Sequence, residues 1–521
     1  MLRSTRHIAR LIGIGRTLAR HRALEPLEKA DIPRPFLWLL RLLGGRGRPV
    51  AGKRPGERLA AALHELGPSF IKLGQALSVR ADLLGEEIAS DLGSLRDRLP
   101  PYPAEIVRSA IESELGKPVS ALYIDFSDRP VAAASIAQVH FATVADPETG
   151  ETNEVAVKVL RPGVEAAFRR DLALFRWLAH QLVRFVPDAR RLRPVEVVET
   201  LAASVEIEMD LRLEAAAASE LAENFADDPN YRVPTIDWER TGRRVMTMQR
   251  VQGLGIGDRD ALAEAGHDLP AIATNVIRVF LLQALRDGLF HADMHQGNLF
   301  VGEDGAFIPV DFGIMGRIDR RTRLFLAEML HAFLQGDYRR AAEVHFEAGY
   351  VPASQSVEIF AQACRSIGEP IRGKPVSQIS IARLLLQLFR VTETFAMETQ
   401  PQLLLLQKTM VTAEGVARGL DPDVNFWEAA EPVIVRWSED NLGPEGRLRD
   451  AGDAGARLLR RLPALADEAE RTLAALVASR NGPTTEKSEA AALARLDRGR
   501  WQRALVIAAA ILVLAVSIAV G

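Results

Sequence analysis

Cysteine is almost missing from this chain: Cys364 stands alone among 521 residues. A single thiol excludes an intrachain disulfide and any cysteine-based metal site, and it fits a reducing compartment. A charge excess is missing as well. Lysine and arginine total 65 against 68 acidic residues, a net charge of −3, so no electrostatic ground exists for nucleic acid as a partner. Lysine itself is scarce, only eight of the 65. Where arginine is the habitual positive charge, a lysine marks a place that a merely solvated cation does not explain. No repeat of solenoid period, no flavin fingerprint and no cluster of iron ligands occurs. What remains is an ordinary globular composition, 48% hydrophobic and 26% charged, in a chain long enough for two or three domains with sizeable cores.

The two ends depart from that composition. Ala504 to Gly521, ALVIAAAILVLAVSIAVG, carries no charge. Eighteen residues at about 1.5 Å each span about 27 Å, close to one bilayer core. Trp501 and Arg503 lie at its edge as interface anchors, and Arg498, Arg500 and Arg503 on one side place the body of the protein in the cytoplasm. The alternative is a core helix covered on every side. At the other end, MLRSTRHIARLIGIGRTLARHRAL has six arginines and no acid before Glu25. It reads as an amphipathic helix on an anionic membrane, as a presequence, or as a basic helix packed on its own protein.

Between the ends, residues 60–125 are helical in pattern, broken by Pro100, Pro101 and Pro103. QVHFATV (Gln138 to Val144) and EVAVKVL (Glu154 to Leu160) read as strands around the turn-rich DPETG. Helical spacing returns from Asp171 to Phe225, a strand is expected at Arg243 to Val251, and NLFVGEDGAFIPVDFG reads as a hairpin within a mostly helical remainder. One helix is odd. FIKLGQALSVRADLL, Phe70 to Leu84, has an apolar stripe at Phe70, Leu73, Leu77, Ala81 and Leu84. It nevertheless carries Gly74, at a cost of about 1 kcal/mol against alanine, beside Lys72 and Gln75. A close approach to its backbone would explain the glycine.

Four pieces in order carry chemistry. VAVK ends at Lys158 on a strand; an acidic helix holds Glu206, Glu208, Asp210 and Glu214; HADMHQGN sets Asp293 and Asn298 five apart; and VDFG sets Asp311 thirteen residues after Asn298. Phosphoryl transfer needs such groups: a lysine for the α- and β-phosphates, a carboxylate to orient it, an aspartate to accept a proton from or align the nucleophile, and oxygens for Mg²⁺. Singly, each has a plainer reading as a buried strand, a turn former or a solvated face. Together they match the protein-kinase signature set. VAAASIAQVH, Val131 to His140, stands where a glycine-rich phosphate loop belongs. Alanines there still permit a tight turn but exclude much of the φ > 0 space. His291 and His295, four apart, suggest a metal pair on a helix or structural histidines in a loop, the second being favoured.

Lys72-Leu73-Gly74-Gln75 (KxGQ), the alanine-rich VAAAS and Glu208-Met209-Asp210 (ExD) resemble the UbiB/AarF/ADCK atypical kinase-like family from about residue 60 to beyond 320. The resemblance implies an α+β, protein-kinase-like bilobal fold with an N-terminal helical KxGQ extension and a C-terminal transmembrane helix. The implied division is a basic region at 1–59, possible on a membrane surface, the KxGQ extension at 60–125, and an N-lobe with the alanine-rich loop at 126–252. A helical C-lobe at 253–480, a linker at 481–503 and the anchor at 504–521 complete it. It implies ATP or ADP with Mg²⁺ as cofactors. Asp293, Lys158 and Glu214 would be catalytic, Ala132, Ala133, Ala134, Ser135, Lys158 and Gln75 would contact the nucleotide, and Asn298 and Asp311 would hold the metal. Lys72, Gly74, Gln75, Glu208 and Asp210 would regulate: Lys72 pairing with Glu208 or Asp210, Gln75 facing the phosphates, Gly74 letting the helix approach the catalytic lobe. On one continuous helix, six residues separate Glu208 and Glu214 by roughly 120°, which permits separate duties.

Two departures stand out. Met294 and Gln296 replace both prolines of the common HADPHPGN, and Ala137 stands where some members have glycine. The implied function is an atypical kinase-like ATPase supporting ubiquinone biosynthesis at the cytoplasmic face of a bacterial inner membrane. Its implied partners are polyprenyl-phenol lipids and the biosynthetic enzymes. Rivals are a small-molecule or lipid kinase and a non-catalytic, nucleotide-dependent scaffold.

Overall fold

The computed structural model describes residues 2–23, 54–78, 86–93, 95, 100–146, 149–185, 194–369, four positions within 391–397, and 401–442. The expected linker at 481–503 and the anchor at 504–521 lie outside these residues. Residues 1–438 form one compact unit.

Runs rich in valine and other β-formers make the two long strands. β3 (Ala137–Ala145) and β4 (Thr152–Leu160), on either side of the DPETG stretch, pair along their whole length. They anchor an antiparallel sheet with β1 (Asp125–Phe126), β5 (Ile236–Asp237) and β6 (Val245–Gln249) in the order β1-β3-β4-β6-β5, and β2 (Ala132–Ala133) pairs with β3. Successive side chains take opposite faces. Val155, Val157 and Val159 therefore pack with Val107 and Ile111 of the helix Ala104–Leu115 in one core. Ala156 and Leu160 join the main core on the other face, and Lys158, between them in sequence, points the same way.

The second lobe is built on the helix Leu269–Leu281, whose broad apolar face, Ile272, Ala273, Val276, Ile277, Val279, Phe280 and Leu281, is buried, while Thr274, Asn275 and Arg278 make a narrow polar side. A π-helical turn, Leu282–Asp287, extends it, and the helix Pro401–Leu420 packs alongside. Among the described residues, Leu269–Asp287 is the one helix long and apolar enough to cross a membrane. Its apolarity is that of a core helix.

The arginine-rich N-terminus forms the helix Leu2–Arg20. Ile14, Leu18 and Ala19 are buried in the same cluster as Leu59, Leu63 and Phe70, so one face of this helix packs on the protein itself. The acidic stretch is not one helix, contrary to expectation. Pro194–Glu208 ends and Leu211–Asn224 begins, because Asp210 adopts extended backbone and its carboxylate accepts the Arg212 N–H as an N-cap. The angular relation between Glu208 and Glu214 on a continuous helix therefore does not apply.

Gly74 also has another reason than the one expected. The KxGQ helix is Pro68–Ser78, and a Cβ at Gly74 would stand 2.4 Å from Leu95 Cδ1 and 2.8 Å from Leu63 Cδ1. The close approach is to leucines of the helical extension itself, not to the catalytic lobe. Overpacking typically costs about 1–3 kcal/mol, against about 1 kcal/mol gained in helix propensity. Gly74→Ala should thus lower stability by about 1 kcal/mol in denaturant unfolding. In a Leu95→Ala background that cost should shrink or change sign; the same loss in both backgrounds would remove the packing account.

Candidate active site

The middle strand of the sheet delivers the lysine. Lys158 of β4 stands opposite Val139 on one side and Met246 on the other. Its Nζ donates to Glu214 Oε1 at 2.5 Å and to Asp311 Oδ1 at 3.1 Å. Glu214 comes from the first turn of Leu211–Asn224, and Asp311 from the segment after β10 (Phe307–Pro309). The lysine and glutamate side chains are 11% and 7% exposed, whereas Asp311 is 46% exposed. Backbone amides complete the set: Phe312 N–H donates to Glu214 Oε1 at 3.3 Å, and Gly313 N–H to Asp311 Oδ1 at 3.1 Å.

Burial pushes the Glu214 carboxyl up to about 7, against the pull of Lys158. Burial opposes the charge on Lys158, but Asp311 and Glu214 together hold its ammonium well above the usual lysine range. Burial likewise opposes the charge on Asp311, and Lys158 with the Gly313 N–H holds that carboxyl well below its ordinary value.

The other pair is tied to the same place by the hairpin. β9 (Leu299–Val301) pairs with β7 (Leu254–Gly255) on one edge and with β10 on the other, Leu299 opposite Pro309, and Val310 N–H donates to Asn298 O at 3.0 Å. Asn298 and Asp311 are therefore neighbours across the hairpin's open end. β8 (Leu289–His291) pairs with β11 (Met315–Arg317), and Ala292 N–H donates to Ile314 O at 2.9 Å, so the Asp293 loop and the DFG segment are joined on both flanks. Asn298 Nδ2 donates to Asp293 O at 3.2 Å and Oδ2 at 3.3 Å.

The donor set fits a hard divalent cation. Asn298 spends its amide N–H on Asp293, leaving Oδ1; Lys158 and Gly313 both use Oδ1 of Asp311, leaving Oδ2. Among the described residues no cluster of three or more His, Cys, Asp or Glu could hold a metal alone. Mg²⁺ needs no such cage, since it takes one or two protein oxygens along with phosphate oxygens and water.

His291 and His295 do not share a helix. His291 ends β8, fully buried, with Nδ1 accepting the Asp293 N–H at 3.2 Å, and burial pushes its imidazole down. His295 Nδ1 accepts the Gly297 N–H at 3.0 Å, and its Nε2 lies 3.6 Å from Asp293 Oδ2. Gln283 was invisible in the sequence. It is wholly buried in the π-helical turn, its Oε1 accepting the His291 N–H at 2.9 Å and its Nε2 donating to the Tyr231 hydroxyl at 3.1 Å. A lone glutamine in an apolar run gives no sign of this; the π-turn that aims it has no sequence signature.

The alanine-rich loop is a closed turn. Ala132 and Ala133 form β2, and Ala134 N–H donates to Ala137 O at 2.8 Å around Ser135 and Ile136. Ser135 is fully buried, and its hydroxyl makes no hydrogen bond among the described residues. Arg161 Nε donates to Ala134 O at 2.7 Å and Nη1 to Pro100 O at 2.9 Å.

Lys72 Nζ lies 2.7 Å from Glu208 Oε2, both side chains 11% exposed. Asp210, besides capping its helix, takes Arg212 Nε at 2.9 Å and Nη2 at 2.6 Å. Gln75 follows Lys72 by one turn, half-buried, its carbonyl accepting from the Ser78 hydroxyl at 2.7 Å.

Residues 94–345 match the ABC1 atypical kinase-like domain and residues 364–425 the UbiB helical domain. A Marinobacter nauticus protein named probable protein kinase UbiB is 39% identical over 519 residues, covering 97% of this chain and 93% of that one. A Pseudomonas aeruginosa protein of the same name is 40% identical over 454 residues, covering 85% of this chain and 84% of that one. Among solved structures, Rv3197 of Mycobacterium tuberculosis in complex with erythromycin is similar with a TM-score of 0.51 and 27% identity. That match covers 72% of this chain and 95% of the other.

The raised Glu214 carboxyl has a pH consequence. The folded protein keeps a proton that the unfolded chain releases from about pH 4.5 upward. Its stabilising contribution is therefore complete below about 4.5 and lost as pH rises to about 7. Wild type should lose stability relative to Glu214→Gln across that window in thermal unfolding. A constant difference between the two proteins from pH 4 to 8 would contradict it.

Proposed function

The chain belongs to the UbiB branch of the ABC1 atypical kinase-like family, and we propose that it is a magnesium-dependent ATPase supporting ubiquinone biosynthesis. The observation that carries this reading is the Lys158 ammonium held at once by Glu214 and Asp311, with Asn298 hydrogen-bonded beside Asp311. Lys158 takes the α- and β-phosphates, and Glu214 keeps it oriented. Asn298 and Asp311 offer oxygens to Mg²⁺, which when bound neutralises charge on the phosphate oxygens. Asp293 aligns a water or hydroxyl and accepts its proton. The loop Ala132–Ser135 covers the phosphates, and Gln75 faces them from the KxGQ helix.

The site's groups are all present, which favours turnover over a scaffold that only binds nucleotide. KxGQ and the alanine-rich loop distinguish the chain from small-molecule kinases of the aminoglycoside or choline type. Purified protein with Mg²⁺ and ATP should release phosphate, more so with phenol-containing liposomes. Asp311→Asn should cut the rate on the order of 100-fold. Tight nucleotide binding with no release in the wild type would favour the scaffold, and label transferred to a phenolic lipid would favour the kinase.

In this reading ATP turnover extracts or presents polyprenyl-phenol intermediates to membrane-associated enzymes, from the cytoplasmic face of a bacterial inner membrane. The uncharged run 504–521 supports a single-pass anchor by length and composition. Deleting residues 500–521 should release the protein to the soluble fraction; membranes that still retain it would shift the attachment elsewhere in the chain.

A further inference from the structure

The arginine-rich N-terminus has no part in the chemistry above, yet one of its side chains reaches a structural junction. Arg10 Nε donates to Asp171 Oδ1 and Nη2 to Oδ2, both at 3.1 Å, a two-pronged bond to a carboxylate only 3% exposed. Nη2 also reaches Leu66 O at 3.4 Å, at the end of the helix Pro55–Leu66. The guanidinium carbon stands 5.4 Å from the centroid of Phe70, and Phe70 meets Phe175 edge to face at 5.1 Å. Three helices thus converge on the Phe70 ring: the N-terminal helix, the KxGQ helix, and Val164–Phe185, which carries both Asp171 and Phe175.

Phe70 lies two residues before Lys72. We propose that Arg10 is a positioning residue for Lys72: the N-terminal helix straps the KxGQ helix onto Val164–Phe185 and thereby sets the Lys72–Glu208 ion pair. A guanidinium suits this place because its planar fork serves both carboxylate oxygens while its face covers a ring; an ammonium offers one point of charge. An arginine engaged in this way is also withdrawn from lipid headgroups, so its role differs from that of a membrane-surface cation. Glu208 closes one helix, and Asp210 caps the next, which bears Glu214. Strap and nucleotide lysine are therefore linked through contiguous contacts, and this inference rests on the nucleotide-binding reading above.

Contiguity does not establish coupling; a double-mutant cycle does. Arg10→Met keeps an apolar stem over Phe70, and Arg170 Nε, 3.2 Å from Asp171 Oδ1, still partners the buried carboxylate. The full-length protein is titrated with ADP and Mg²⁺ by calorimetry as wild type, Arg10→Met, Lys72→Met and the double variant. Arg10→Met should shift the dissociation constant by about threefold to tenfold, in the same direction as Lys72→Met. It should have no further effect once Lys72 is gone. Phe70→Leu should behave likewise by a second route. Hydrogen exchange of residues 68–78 without nucleotide should rise in Arg10→Met while the thermal midpoint of unfolding changes little. Equal shifts in both backgrounds, or unchanged exchange, overturn the strap. A wild type that binds no ADP would end the nucleotide reading instead and leave the exchange measurement to decide the strap alone.

Discussion

A buried ammonium shared by two carboxylates is the constraint from which the rest of this structure follows. Taking a lysine charge out of water costs several kcal/mol unless partners surround it. Here they arrive from the helix bearing Glu214 and the segment bearing Asp311, so both elements must lie where Lys158 can reach them. The sheet in turn must present the lysine to the correct side. Lys158 is paired on both flanks, by Val139 and Met246. A one-residue slip would turn it toward the valine face that packs on Val107 and Ile111, where no charge could be accommodated. Register, helix placement and the DFG segment are thus consequences of one electrostatic requirement.

The same economy appears twice. Lys72 and Lys158, two of only eight lysines, both sit 11% exposed on a glutamate. Their partners lie on successive helices separated by the Asp210 cap. That break lets Glu208 serve the KxGQ helix while Glu214 serves the strand lysine, a division that one continuous helix would have to achieve by rotation alone. The Asp210 carboxylate supplies the break locally, by satisfying the Arg212 amide and guanidinium.

Much of this was legible in the residues because each element announced itself by period. The β-rich runs flanking the turn-rich DPETG marked β3 and β4, and the order of VAVK, HADMHQGN and VDFG predicted that Lys158, Asp293, Asn298 and Asp311 would converge. What escaped was tertiary. Gly74 looked like an opening toward the catalytic lobe, but the atoms it admits are Leu63 and Leu95, whose contact with it is nonlocal and leaves no local mark. The helix break at Asp210 was hidden by good helix formers on either side, because capping depends on a backbone conformation that composition does not reveal. Gln283 was lost in an apolar run, since only the π-turn makes it the acceptor for the His291 amide.

The alanine-rich loop shows how a site can obtain shape without glycine's freedom. None of its residues has a positive φ; the turn is instead held from outside. Arg161, from just beyond the lysine strand, grips the Ala134 carbonyl and reaches Pro100, while Gln138 accepts the Tyr102 N–H at 2.9 Å and bonds to His140 at 2.8 Å. Residues 100–102 lead directly into the helix that packs under the sheet. The loop is therefore coupled to the N-lobe core rather than free to flap, as a glycine loop would be. A loop built this way gives up backbone adaptability for a fixed shape, and the methyls of Ala132 to Ala134 take up space that glycine would leave open. Under the nucleotide reading proposed above, selectivity would reside in a shape set by Arg161 and Gln138, residues that need not touch a nucleotide at all.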